Sequence, residues 1–136
     1  MRRLLFFTLI IGLALTACGR KQMPQVVAGT PPQIVELRHE IGERAMKLTM
    51  RITGGSYGIG YQIDRAEMDP YCKCPGFWQR YREEFPAEKN IGKELSVALS
   101  LGDGTVEYAF RVRAVDGLGQ LGPWSKPIRA RAGALE

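Results

Sequence analysis

The sequence predicts an all-β fold, a two-layer sandwich of about seven short strands, and three observations carry that expectation. Apolar and polar residues alternate with period two in one run after another downstream of Pro32. Turn-forming residues separate the runs, from Gly54-Gly55 through Asp69-Pro70, Pro75-Gly76, Gly102-Asp103-Gly104 and Asp116-Gly117 to Gly122-Pro123. Outside the N-terminal apolar run, no window of about a dozen residues holds a convincing 3.6-residue period, although residues 78–85 fit either period. Side chains of a strand point alternately to its two faces, so period two marks a strip with one side buried and the other wet.

The chain opens on Met1-Arg2-Arg3, a cationic start. An apolar run of about twelve residues follows over 4–15, interrupted only by Thr8 and Gly12, which are the proportions of the central region of an export signal. A bilayer span needs about 20 apolar residues, so this run is too short to cross. Small residues Thr16 and Ala17 then precede Cys18. The order Leu15-Thr16-Ala17-Cys18 resembles the lipobox of bacterial lipoproteins. That resemblance implies loss of residues 1–17 as a signal peptide. It also implies a covalent lipid on Cys18, a thioether-linked diacylglycerol together with an amide-linked acyl chain, and no other cofactor. Two or more acyl chains hold a protein stably at a membrane, whereas one gives marginal binding. The expected location is therefore the bacterial cell envelope, and by the same resemblance Gly19 in place of an aspartate after the cysteine favours the outer membrane. The competing reading is a plain secretory signal with an incidental cysteine.

Without residues 1–17, 119 of the 136 residues remain, enough for one domain and a tether. Removal of Arg2 and Arg3 lowers the formal charge from +5 to +3. So mild a balance is not the footprint of a nucleic-acid binder and gives only a bias toward anionic surfaces. Residues 18–32 contain three prolines and no strand or helix period, which reads as a tether. Extended at about 3.1 Å per residue, it holds a domain up to about 40 Å from the membrane. Arg20 and Lys21 stand where they could touch anionic headgroups.

The domain is expected over 33–132. Met46, Leu48, Met50 and Ile52 alternate with Lys47, Thr49 and Arg51 as a half-buried strand. Tyr57, Ile59, Tyr61 and Ile63 form the next, with Gly58, Gly60, Gln62 and Asp64 between them. Gln79-Arg80-Tyr81-Arg82 alternates like a short edge strand whose arginines oppose edge-to-edge pairing. Leu95, Val97, Leu99 and Leu101 make a further strand, and Tyr108, Phe110, Val112 and Ala114 the longest.

Three stretches carry a family likeness. Tyr108-Ala109-Phe110-Arg111-Val112-Arg113-Ala114-Val115-Asp116, followed by Gly117, Gly119 and Pro123-Trp124-Ser125-Lys126-Pro127, resembles the last two strands of a fibronectin type III domain and the loop joining them. Pro32-Gln33-Ile34-Val35-Glu36-Leu37 is similar to that family's first strand, and Tyr61-Gln62-Ile63-Asp64-Arg65 to its third. The resemblance implies an immunoglobulin-like sandwich with the final strand beside Tyr108-Ala114. The family buries a tryptophan on its second strand, where this chain has Met50 or Ile52. Tyr108 is expected as the corner tyrosine, its hydroxyl bonding backbone at the preceding turn.

Three candidate sites stand out. Cys72 and Cys74 lie in a turn-rich loop and are the pair left over once Cys18 is assigned to lipid. A disulfide over one residue, free or intermolecularly paired thiols, and redox chemistry compete there; zinc would need four ligands. Arg111 and Arg113 point outward if Tyr108 points inward, and Arg129 and Arg131 on the neighbouring strand extend that face. Such charges repel unless carboxylates or an anionic ligand intervene, and Trp124 offers an indole face for stacking. Phe77, Trp78 and Tyr81 follow the cysteine loop as a candidate aromatic rim, and Leu118 and Leu121 sit in a glycine-rich loop. No nucleophile elbow, phosphate-binding glycine loop or His-Glu-x-x-His pattern is present, and His39 reads as a surface residue. The expected protein is not an enzyme and holds no catalytic metal. It is a membrane-anchored binding or spacer module whose partners are membrane lipid through Cys18 and an envelope protein or glycan. The alternative is an envelope assembly or redox accessory acting through the Cys72/Cys74 loop.

Overall fold

Residues 29–133 are described by a computed structural model. The signal segment, Cys18 and the tether as far as residue 28 lie outside the described residues. Seven strands follow in order: β1 (Gln33–Ile41), β2 (Ala45–Thr53), β3 (Ile59–Glu67), β4 (Gln79–Ala87), β5 (Glu94–Ser100), β6 (Tyr108–Asp116) and β7 (Ile128–Ala130). One sheet has the order β1-β2-β5 and the other β4-β3-β6-β7, with every pairing antiparallel. This is the expected immunoglobulin-like β-sandwich, and the final strand lies beside β6 as the family resemblance implies.

The inner faces meet as the alternation requires. Met46, Leu48, Met50 and Ile52 of β2 pack with Val97, Leu99 and Leu101, and oppose Tyr61, Ile63, Phe110, Val112 and Ala114 of the other sheet. Met50 and Ile52, where the family resemblance leads one to expect a tryptophan, are buried at 1% and 4% exposure. Methionine is unbranched and flexible enough to fill an irregular gap.

Three expectations are corrected here. Tyr57 is not in β3: it has φ 58° and is 74% exposed, and the strand begins at Ile59. The alternation Tyr57-Gly58-Ile59-Gly60 extends the strand pattern on paper, but the turn that ends β2 consumes Gly54, Gly55, Tyr57 and Gly58 in left-handed conformations. The corner hydrogen bond belongs to Tyr81 rather than Tyr108. Its hydroxyl accepts from the Ser100 N–H at 3.2 Å, tying β4 to the end of β5 across the sandwich. Tyr108 lies under Arg65 instead, whose guanidinium carbon sits 4.5 Å from its ring and 4.2 Å from that of Tyr81. Finally, the domain begins before Gln33. Pro32 is fully buried, and the Thr30 carbonyl accepts the Gly55 N–H at 2.9 Å.

These contacts define two ends. Thr30 joins the turn after β2, and that turn bonds the loop after β6 through Gly117 N–H to Ser56 carbonyl at 2.9 Å; this is the entry end. At the far end, Met68 N–H donates to the Glu107 carbonyl at 2.9 Å and Gly133 N–H to the Glu43 carbonyl at 3.0 Å. The cysteine loop between β3 and β4 thus projects from the far end.

Candidate functional site

On β3, Asp64 pairs in register with Arg111 of β6 and Arg80 of β4, so all three project from the outer face of the four-stranded sheet. Arg80 donates to one carboxylate oxygen at 2.7 Å and Arg111 to the other at 3.1 Å. The carboxylate side chain is only 9% exposed, and neutralising two cations is what allows it to sit there. Arg113 donates to the Gln62 side-chain oxygen at 2.9 Å.

Two tryptophans complete the face. The Arg111 guanidinium lies 4.5 Å from the Trp78 ring and 4.3 Å from the Trp124 ring, and Arg113 stacks on Trp124 at 4.3 Å. The result is an alternating stack, Trp78, Arg111, Trp124, Arg113, running across β6. A planar guanidinium between two indoles keeps its edge free for in-plane hydrogen bonds, which Arg111 directs at Asp64. Ser125 fixes the Trp124 segment: its hydroxyl accepts the Val112 N–H at 3.0 Å, and its own N–H donates to the Val112 carbonyl at 2.7 Å.

The other predicted arginines are on the same side but at the far end. Arg129 makes two bonds to Glu107, at 2.9 and 3.0 Å, and Arg131 donates to the Gly104 carbonyl at 2.6 Å. Arg129 holds the Glu107 carboxyl below its ordinary range, and Glu107 raises the guanidinium in turn. The carboxylates needed to keep the arginines of this face together therefore come largely from the chain itself. Asp64 and Glu107 were not among the residues marked by the sequence, because each lies far along the chain from the cation it meets.

The cysteine loop is a closed hairpin. The sulfurs of Cys72 and Cys74 are bonded, with α-carbons 5.3 Å apart. The Asp69 carboxylate accepts the backbone N–H of Cys72 at 3.1 Å and of Tyr71 at 2.7 Å, and these bonds hold its carboxyl below the ordinary aspartate range. Lys73, between the cysteines, is left-handed with φ 56° and donates its N–H to the Asp69 carbonyl. A bridge between Met68 and Pro75 closes the base. Tyr71 and Phe77 flank the loop at 93% and 94% exposure, while Trp78 and Tyr81 of the candidate rim turn away to Arg111 and Phe110.

One unmarked residue organises the entry end. Asp116, 1% exposed, accepts from the N–H groups of Ser56, Leu118 and Gln120 and from the Gln120 side chain, all at 2.8–3.0 Å. The sequence signals only a turn at Asp116-Gly117. His39 is exposed on β1. Among the described residues, no helix is long and apolar enough to cross a membrane, and no group of three or more His, Cys, Asp or Glu side chains is placed to hold a metal ion.

A scan against protein-family models and a search of curated proteins find no match to this chain. A solved structure described as a myokine is similar to it, with a TM-score of 0.54 and 17% identity over 76% of this chain and 98% of that one. At that identity the likeness is one of fold.

Proposed function

We propose that this chain is a non-catalytic envelope lipoprotein, anchored by lipid at Cys18, that presents a fibronectin type III-like module to an envelope protein or glycan. The outer membrane is the proposed site of anchorage. The supporting observation is the placement of the two ends: the chain enters beside Gly55, and the disulfide-closed loop with exposed Tyr71 and Phe77 projects from the opposite end. A domain tethered through Thr30 thereby offers its most exposed aromatic side chains away from the anchor. Aromatic side chains bring large contact area at small entropic cost, which is why they serve as anchors at interfaces.

Labelled fatty acid supplied to bacteria making the full chain tests the anchor. Label is expected on the wild-type protein and absent from Cys18→Ala; equal labelling of both, or of neither, would refute it. Crosslinking in intact envelopes then tests the presenting end, with capture lost on Tyr71→Ser/Phe77→Ser.

The second reading, a redox or assembly accessory, is favoured by one observation: Cys72 and Cys74 are both exposed. Thiol counting with and without reductant, together with the phenotype of Cys72→Ser, separates the two. An inert bond and an unchanged phenotype leave the redox reading without support.

A further inference from the structure

Exposed apolar side chains gather at both ends of the domain, Tyr71 and Phe77 at the far end and a larger group at the entry end. Tyr57 (74%), Phe85 (76%), Ile91 (56%), Leu118 (41%) and Leu121 (45%) all lie at the entry end, in the turn after β2, the end of β4 and the following turn, and the loop after β6. Their backbones are in contact. An added β-carbon at Gly117 would strike the Tyr57 carbonyl, and one at Gly58 would lie 2.9 Å from Ala87. Tyr57 is held in the left-handed region, a conformation that costs a non-glycine residue energy, and its ring is directed outward rather than into the core. Lys89 and Lys93 flank Ile91 at the rim, with Glu88 alongside.

Resting on the lipid anchorage proposed above, we infer that the entry end of the sandwich seats on the lipid surface itself, its apolar side chains reaching the boundary between headgroups and acyl chains. Two observations choose lipid over other occupants. The chain reaches the domain at this same end, and residues 18–30 span at most about 40 Å, so the patch is confined close to the bilayer at high effective concentration. Tyrosine and phenylalanine beside lysine are also the side chains suited to that interface, where an apolar body is buried and a polar tip stays wet. Seated in this way, the sandwich stands with its strands pointing away from the membrane, and the cysteine loop is raised by the length of the domain.

The test uses the full chain purified from bacterial membranes, with acylation of Cys18 established by mass. It is reconstituted in phosphatidylethanolamine and phosphatidylglycerol vesicles with brominated acyl chains, which quench tryptophan on contact. Phe85→Trp and Leu118→Trp are expected to be quenched several-fold more than Phe77→Trp, each measured as a difference from the native Trp78 and Trp124 signal. Amide exchange gives a reading free of substitutions in the patch: residues 85–93 should exchange more slowly in vesicles than in Cys18→Ala protein in buffer. Acylated protein showing no excess quenching at Phe85→Trp, or unchanged exchange over 85–93, overturns this inference and leaves the anchor standing. Protein without acyl groups on Cys18 overturns both.

Discussion

Asp64 is the residue on which the outer face of the larger sheet depends. Its two oxygens divide between Arg80 and Arg111, and Arg111 in turn spaces Trp78 from Trp124. Asp64→Asn leaves both guanidinium groups facing a neutral amide. Loss of a well-buried pair costs about 3–5 kcal/mol, and solvent around the arginines reduces this to about 2 kcal/mol. The urea midpoint should fall with an unchanged slope, and a variant as stable as the wild type would show that the stacked indoles alone hold the arginine. Glu107 adds a pH dependence. Its folded pKa is depressed by Arg129, so its contribution is present above the ordinary carboxylate pKa and is lost as pH falls through the lower folded value. Stability measured from neutral pH down to below about pH 4 should therefore fall more steeply in the wild type than in Glu107→Gln.

At the scale of elements, strand legibility follows from burial on one side. β2 and β5 were readable because each alternates along its length against the core, as in Met46, Leu48, Met50 and Ile52, and β6 because it alternates from Phe110 to Ala114. β1 was harder, because its register shifts between Ile34 and Glu36, leaving Val35 53% exposed and reversing the apolar phase. β4 runs to Ala87, well past the short edge strand that its alternation suggested, since an edge strand with Phe85 turned to solvent lacks the periodic signature. Arg111 and Arg113 were legible from strand phase, whereas Arg129, Arg131 and Trp124 were reached through the family resemblance. Their partners were legible in neither way: Asp64 lies 16 residues from Arg80 and 47 from Arg111, and only the fold brings them together. One pairing makes a sharp element-scale prediction. Gly60 lies where β4 bulges against β3, and an added β-carbon would collide with the Glu84 carbonyl. Gly60→Ala must push β4 outward, at about 1–3 kcal/mol. A lowered melting temperature and lost amide protection along β4 are expected, and unchanged protection would contradict the register.

For the whole molecule, the two ends of the described domain lie at opposite poles. Thr30 bonds at one and Gly133 at the other, so β1 leaves the first pole and β7 runs toward the second. A pull between those poles acts along the strands and loads the interstrand hydrogen bonds in shear, all at once rather than one by one. The weakest ladder then sets the mechanical limit. β7 has three register pairs with β6, whereas β1 has eight with β2. Stretching single molecules between the two poles should detach the C-terminal strand first, as a small step before the main rupture; a first step that releases β1 would contradict this. Under such a load the domain behaves as a stiff strut whose first part to yield is its C-terminal strand, which leaves the six longer strands of the sandwich intact.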